Sequence, residues 1–227
     1  MTMLDTVLDF WTNLTAALRA SIIVTLALSI IVVILGKRVD RLNPEKPIKG
    51  PVFLVVMGID LLNSFIEDFY GKKWRTFAPI LLAFLLYLAL ANTASLFGLA
   101  TPLSNVSIAL AFSFMAFAVI QISGVIVRGP VKRIKDLSSP TPLLLPLNLL
   151  SEVSAPLAMG LRLFGNLLSG TVIGIVVFNL LNNVFGVLAT TIVVHPIFNI
   201  GFGLIQAFVY FMLLLVFLSM SVEESEV

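Results

Sequence analysis

A single arginine, Arg162, lies within a long apolar stretch of the 227-residue chain. The charged residues nearest to it in sequence are Glu152 before it and Glu223 after it. Placing a cation at the centre of a bilayer costs about 2.5 to 3.5 kcal/mol on insertion scales. Arg162 is therefore either a hydrogen-bonding link between helices or a fixed charge that acts on ions. We favour the second role, because intramembrane charges usually mark ion or substrate pathways.

The residues around Arg162 form a face of small and polar side chains on a helical wheel. They recur at three- and four-residue spacing, whereas bulky residues such as Leu161 and Leu168 fall mostly elsewhere. The members of this Arg162 face are Ala155, Ala158, Arg162, Gly165, Asn166, Ser169 and Gly170. Small side chains let another surface approach closely, so we interpret the face as a docking surface with a fixed positive charge.

Two polar residues accompany Arg162 on the same segment. Glu152 lies about 15 Å before it and about 80° around the helix, so Glu152 is not simply its ion-pair partner. Near the basic-loop end of the segment, Glu152 is either a solvated acid at the start of a helix or a carboxylate that relays protons to water. Asn166 follows Arg162 by one turn and can hold the guanidinium or line a polar path.

Further polar residues interrupt the final apolar stretches. Thr171, Asn199 and Gln206 would each, taken singly, be interpreted as an interhelix hydrogen-bonding group. Together with an unpaired arginine they predict a polar pathway. His195 directly precedes a proline, so a turn or interfacial role is favoured over a proton relay, although imidazole chemistry suits relay work.

The composition is that of an integral membrane protein. Hydrophobic residues make up 59% of the chain and charged residues 11%, against about 25% charged in soluble domains. With no cysteine and one histidine, thiolate sites and multi-histidine metal sites are excluded, and no P-loop, G-x-S-x-G or G-x-G-x-x-G motif is present. We therefore expect no metal, no cofactor and no enzymatic activity of the chain by itself.

The basic residues predict the membrane orientation. Twelve of the fourteen Lys and Arg residues fall in three clusters, which the positive-inside rule places in the cytoplasm. The clusters are Lys37, Arg38, Arg41, Lys46 and Lys49; Lys72, Lys73 and Arg75; and Arg128, Lys132, Arg133 and Lys135. The N-terminus begins with acidic residues and resembles no signal or transit peptide. We expect a multi-pass protein of a bacterial plasma membrane, with its N-terminus outside and its C-terminus cytoplasmic.

The expected fold is an all-α membrane protein that forms a single domain over 1–227, with about five crossing helices and one amphipathic helix. The amphipathic helix either lies along the interface, which we favour, or forms a short hairpin in the cytoplasmic leaflet. The last two helices are too long to stand upright in a core about 30 Å thick, so they must be strongly tilted or bent. We expect a strongly tilted hairpin, which suits a curved partner such as a ring of helices. The crossings are expected at 14–36, 76–98, 105–127, 147–181 and 187–220, and the amphipathic helix at 51–70.

Over about 76–221 the chain resembles subunit a of the F-type ATP synthase membrane sector. The resemblance rests on LPLNLLSEVSAPLAMGLRLFGNLLSG, on the later IQAFVYFMLLLVFLSMS and on the earlier SNVSIALAFSFMAF. It implies an ion path with two aqueous half-channels beside a rotating ring of c subunits, each with a membrane carboxylate. It also implies a b-type peripheral stalk, the remainder of the complex and membrane lipid as partners, and no nucleic acid. Subunit a would convert ion flow into rotation without itself making or hydrolysing ATP.

The resemblance assigns roles residue by residue. Arg162 matches the essential arginine that separates the half-channels, and Glu152 matches the acid of the cytoplasmic half-channel. The remaining matches are the GN asparagine at Asn166, the glutamine of the last helix at Gln206 and the asparagine of the preceding helix at Asn105.

Two positions depart from the pattern of many bacterial members. Thr171 stands where they carry a glutamate, and Asn199 where they carry a histidine. The outer half-channel therefore lacks its usual titratable pair, unless His195 replaces it. Protons remain the expected coupling ion, and sodium, which prefers neutral oxygen ligands, is the alternative.

Two other classes of protein would explain part of this pattern. A secondary transporter would use Arg162 to bind an anionic substrate, but the sequence has no inverted repeat or paired broken helices. A structural scaffold would explain the small-residue face but not the arginine.

Overall fold

The computed structural model describes residues 12, 14–40, 51–71, 74–97, 99–130, 132, 143, 145–181, 183–194 and 196–222, and these contain no β-strand. Within them, five helical segments are long and apolar enough to cross a membrane. The all-α membrane fold is thus confirmed. The helices are α1 (Ala16–Asp40), α2 (Pro51–Tyr70), α3 (Trp74–Thr93), α4 (Val106–Arg128), α5 (Leu145–Leu181), α6 (Asn183–Ala189) and α7 (Gly203–Val222).

Helix α2 coincides with the predicted amphipathic segment and is not one of the five candidate spans. It begins at a proline, which is tolerated in a first turn, and is followed by Gly71 at a positive φ of 50°, where glycine carries no steric penalty. Ile66 is fully buried, and the Tyr70 hydroxyl donates a hydrogen bond of 2.9 Å to the Leu215 carbonyl of α7. Burial raises the pKa of Tyr70 still further above neutral pH, which is consistent with a protonated hydroxyl that donates. These contacts hold α2 against the bundle.

The core lies where α3, α4 and α7 meet. One aromatic ring from each helix packs there: Phe84 and Phe112 have centroids 4.9 Å apart, and Phe112 and Tyr210 have centroids 5.6 Å apart. Offset and edge-on ring pairs of this kind add to the stabilisation from area burial. Helix α5 packs on the same core through Leu163 and Leu167, which are almost fully buried.

The C-terminal end of α7 is fixed to α4. The Arg128 guanidinium donates a hydrogen bond through Nη2 to the Met220 carbonyl. The Ser221 hydroxyl donates a hydrogen bond of 3.1 Å to the Ile120 carbonyl. A cationic donor at a helix C-terminus satisfies a carbonyl that has no intrahelical partner. We call this end of the bundle, where Arg128 and Met220 lie, the basic end.

The two long segments form the predicted hairpin, but its second arm is not one continuous α-helix. Helix α5 has 37 residues, about 55 Å at 1.5 Å per residue. After α6 the backbone is π-helical over Thr190–Val194 and Pro196–Phe202, and it becomes α-helical again at Gly203. Pro196 has no amide hydrogen to donate, which favours a local change in the hydrogen-bonding ladder.

Glycines allow the hairpin arms to approach each other and their neighbours. A Cβ on Gly186 would lie 2.6 Å from the Phe178 carbonyl oxygen, and one on Gly170 would lie 2.7 Å from Cβ of Phe198. The sequence predicts a turn at Asn182, Asn183 and Gly186; Asn183 and Gly186 instead lie within α6, and Gly186 packs on the α5 backbone. Asn182 lies outside the described residues.

The second arm is also joined to α3 where its π-helical part ends. The side-chain amide of the buried Asn92 donates a hydrogen bond of 2.8 Å to the Gly203 carbonyl. A side-chain partner at this carbonyl stabilises the point at which the helix type changes.

Candidate functional site

Arg162 is exposed on the outer side of α5. Its neighbour Leu163 faces the core, and the two side chains therefore point in different directions around the helix. Within the described residues, no group forms a hydrogen bond or an ion pair with the Arg162 guanidinium. It is thus not a hydrogen-bonding link within the described bundle, and its charge is available to something outside it.

Most of the predicted Arg162 face is accessible. Ala158 and Ser169 are exposed, and Gly165 and Asn166 are half-buried. The Ser169 hydroxyl donates a hydrogen bond of 2.8 Å to the Gly165 carbonyl, so it adds little polarity to the surface. Two members differ: Gly170 is buried against Phe198 in the contact between the hairpin arms, and Ala155 is half-buried and lines a cavity inside the bundle.

Glu152 faces inward, towards α4, rather than towards Arg162. Its Oε2 accepts a hydrogen bond of 2.7 Å from Nε2 of Gln121. Beside this pair lies a cavity of about 270 Å³ between α4, α5 and α7, which we call the Glu152 cavity. It reaches the basic end, because Met220 and Ser221 line it. The structure therefore brings Glu152 together with Gln121, which the sequence interpretation missed although a lone amide in an apolar helix was a signal.

A second polar position lies farther along α5, between the hairpin arms. Thr171 is exposed, and its hydroxyl donates a hydrogen bond of 3.0 Å to the Leu167 carbonyl one turn earlier in the helix. Thr171 and Thr190 line a groove of about 250 Å³. The Thr190 hydroxyl donates a hydrogen bond of 3.3 Å to the Gly174 carbonyl. Thr190 was not singled out from the sequence, because only the fold brings it opposite Thr171.

The other predicted residues are dispersed. Gln206 is half-buried in the first turn of α7, and Asn199 lies in the π-helical segment Pro196–Phe202. Asn105 caps the N-terminus of α4: its side-chain oxygen accepts a hydrogen bond of 2.9 Å from the Ser107 backbone amide. Asparagine is common at this position of a helix. His195 lies outside the described residues.

The chemistry of these groups is that of single charges and polar contacts. Among the described residues no three His, Cys, Asp or Glu side chains cluster as a metal site would require. A fixed cation on an accessible face and a carboxylate beside a cavity can attract or separate ions, and a mostly apolar groove adds the hydroxyls of Thr171 and Thr190. They do not form a nucleophilic or redox centre.

Comparison with known proteins identifies the family. Residues 18–219 match the model of the ATP synthase A chain. The chain is 26% identical to ATP synthase subunit a 1 of Crocosphaera subtropica over 92% of its own length and 87% of the relative's. It is 32% identical to ATP synthase subunit a 2 of a Bradyrhizobium species, over 69% of its own length and 68% of the relative's. It is 30% identical to ATP synthase subunit a of Oleidesulfovibrio alaskensis, over 77% of its own length and 73% of the relative's. The chain therefore belongs to the ATP synthase A chain family and is a multi-pass membrane-sector subunit a of an F-type ATP synthase complex.

Proposed function

We propose that this subunit is the stator against which a ring of c subunits rotates, and that it carries the coupling ion through two half-channels. The observation that carries the proposal is the exposed Arg162, which has no partner within the described residues and lies on a face of small side chains. Such a face lets a neighbouring helix bring an anionic group close to the guanidinium.

Arg162 acts as the separator between the two half-channels. Its guanidinium stays charged at all physiological pH values, so it attracts a ring carboxylate that has lost its ion and repels any free cation. An ion can then cross only by binding to a ring carboxylate and travelling with the ring. The electrical part of the driving force is about 2.3 kcal/mol per charge per 100 mV.

Two open regions on either side of Arg162 support two half-channels: the Glu152 cavity, and a mostly apolar groove that contains the hydroxyls of Thr171 and Thr190. The Glu152 cavity lies towards the basic end, which the positive-inside rule assigns to the cytoplasm. The groove of Thr171 and Thr190 lies farther along α5, beyond Arg162. We assign the first region to the cytoplasmic half-channel and the second, with Asn199, to the outer one, and we place Asn166 and Gln206 between them. A role for Asn105 stays a proposal from the resemblance, and a role for His195 stays a proposal from the missing titratable pair.

Other surfaces suit the remaining partners. Helix α1 is largely exposed along an apolar length, which suits lipid and a b-type stalk subunit. We also propose that the chain forms a single membrane domain, that its N-terminus lies outside the cell and that the membrane is a bacterial plasma membrane.

Sodium is a second candidate for the coupling ion. Thr171 and Thr190 present neutral hydroxyl oxygens to one groove, a ligand type that hard cations prefer. We retain protons as the first candidate, because a water-filled inlet lined by hydroxyls also conducts them and needs no fixed coordination.

The experiment that tests this function is ATP-driven ion pumping by the whole complex in sealed vesicles, with sodium varied and a protonophore added or omitted. A proton path predicts pumping that needs no sodium and collapses with the protonophore. A sodium path predicts sodium uptake that persists or accelerates with the protonophore. ATP hydrolysis without any ion uptake, in a complex with tight vesicles, would contradict both. Binding of an organic anion by the isolated subunit would instead favour a transporter.

A further inference from the structure

Another open region of the bundle lies between α1, α3 and α4 and has no part in the proposed ion path. This α1 groove has a volume of about 480 Å³ and shares no lining residue with the Glu152 cavity or with the groove between the hairpin arms. Its walls include Ser21 and Leu28 of α1, Tyr87 of α3 and Met115 of α4. Sites that bind small ligands commonly measure about 300 to 1,000 Å³, so the α1 groove is large enough to hold one.

The α1 groove exists because α1 packs on the bundle only at its beginning. Ala17, Ala20 and Val24 are buried, whereas none of residues 25–39 is. The groove extends past the last of these buried residues, as far as Leu28. Over this length space remains between α1 and the two helices behind it.

The floor of the groove consists of small or fixed side chains. Ala83 and Ala111 line the groove and are both exposed, so neither fills it. The rings of Tyr87 and Phe112 stack with centroids 5.0 Å apart, a contact that holds both rings in place. The groove is therefore already formed in the bundle and open on one side.

The polar side chains of the lining bind within α1 and α3 and do not require a polar ligand. The hydroxyls of Ser21 and Tyr87 share a hydrogen bond of 2.7 Å, and the Thr25 hydroxyl donates a hydrogen bond of 2.8 Å to the Ser21 carbonyl. The other lining side chains are apolar. Because apolar cavities stay dry, an apolar occupant fits this groove better than water does.

The surroundings of the groove are hydrocarbon. All three helices are candidate membrane spans. Ser21 and Leu28 follow the start of α1 by about 8 Å and about 18 Å, which lies within a hydrocarbon core about 30 Å thick. On α4 the groove begins at Ile108, at the opposite end of the helix from Arg128. The groove therefore opens sideways into the leaflet that lies opposite the basic end.

The width of the groove favours a lipid chain over a protein helix. From Ser21 to Leu28 the groove follows α1 for about 10 Å. A volume of about 480 Å³ over this length gives a mean cross-section of about 50 Å². A helix with its side chains is about 10 to 12 Å across and needs about 80 Å² or more. A single hydrocarbon chain is narrower and can enter.

We propose that the α1 groove binds an acyl chain of a membrane phospholipid from the leaflet opposite the basic end. The chain supplies the van der Waals contacts that α1, α3 and α4 would otherwise forgo along the groove. It thereby attaches α1 to the bundle beyond Val24. This lipid site rests on the membrane fold and not on the proposed ion path.

The lipid site is tested by photo-cross-linking of the whole complex. The complex is reconstituted in vesicles of phosphatidylethanolamine and phosphatidylglycerol that also contain a phosphatidylcholine with a diazirine in one acyl chain. It is then transferred to lipid-free detergent and illuminated, and the cross-linked residues are mapped by mass spectrometry. We expect cross-links at Tyr87 and Met115 to persist after the transfer. Cross-links at Ile122 and Ile126, which are exposed on α4 outside the groove, should disappear.

A variant that fills the groove shows where the lipid binds. Ala111→Phe places a ring in the groove, and cross-links at Tyr87 and Met115 are expected to fall about tenfold, which corresponds to about 1.4 kcal/mol of lost binding. The matched control is Ala118→Phe, exposed on the same helix but outside the groove, which should leave these cross-links unchanged. Ala83→Phe fills the groove from α3 and replaces Ala111→Phe if that variant does not assemble.

Three results would overturn the lipid site. In the first, cross-links at Tyr87 and Met115 are lost on transfer as completely as those at Ile126, so the groove holds only exchanging lipid. In the second, neither groove-filling variant reduces them. In the third, a benzophenone side chain introduced at Met115 cross-links to another subunit instead of to lipid. None of these measurements uses ion pumping, so a failure of the lipid site and a failure of the proposed ion path are distinguishable.

Discussion

Replacing Arg162 with alanine is expected to reduce ion-driven ATP synthesis by about 100-fold or more, while the complex still assembles. A loss of this size corresponds to about 2.7 kcal/mol in the coupled step. Assembly should persist because the side chain is exposed and makes no hydrogen bond to another described residue, so its removal leaves no buried group unsatisfied. The measurement is synthesis by reconstituted complex under an imposed ion gradient, alongside the amount of subunit a in the purified complex.

The matched control is Arg75→Ala on α3. Arg75 is also exposed, but it lies over the Trp74 ring at 5.5 Å and not on the Arg162 face. Its removal should change synthesis by less than about twofold, since exposed substitutions away from a site usually have small effects. Arg162→Lys should fail almost as fully as alanine, because an ammonium lacks the planar fork of donors that meets a carboxylate. Normal synthesis by Arg162→Ala would contradict the separator role.

Replacing Gly186 with alanine is expected to prevent much of the complex from assembling. The added Cβ would lie 2.6 Å from the Phe178 carbonyl oxygen and 3.1 Å from its Cα. Both are backbone atoms, so α5 and α6 must separate and the hairpin must open. Overpacking of this kind costs about 1 to 3 kcal/mol. We expect several-fold less assembled complex and a lower temperature of thermal inactivation.

Gly58→Ala provides the control for this substitution. Gly58 is a helical glycine of α2, and a Cβ added there meets nothing within 4 Å. Alanine at an open helical position is neutral or stabilising, because glycine is the poorer helix former. If Gly186→Ala and Gly58→Ala gave the same yield and the same inactivation temperature, the close approach of α5 and α6 would be wrong.

The sequence predicts the elements that depend on local pattern. Helix periodicity and length suffice for α2 and α5, and the wheel around Arg162 predicts an accessible face because most bulky residues lie on the other side of the helix. These features belong to one helix at a time. They require no knowledge of which helices are neighbours.

The features that the sequence does not predict depend on pairs of helices. The wheel places Gly170 on the Arg162 face, but only the approach of Phe198 shows that it is buried. The partnership of Glu152 with Gln121 depends on the register between α4 and α5, which no single-helix pattern contains. The π-helical part of the second arm is not predicted either: Pro196 indicates a local change in the hydrogen-bonding ladder, but the sequence does not show that a π-helix results.

A cysteine cross-linking scan of α5 tests whether the Arg162 face meets the ring. Four exposed positions of the cysteine-free chain are suitable: Ala158 and Ser169 on the face, and Leu161 and Leu168 away from it. Each is changed to cysteine in a complex whose c subunit carries one cysteine beside its membrane carboxylate. We predict oxidative cross-links to the c subunit from Ala158→Cys and Ser169→Cys, and few or none from Leu161→Cys and Leu168→Cys. Cross-links from the two leucine positions alone would show that another side of α5 faces the ring, and Arg162 would not separate the half-channels.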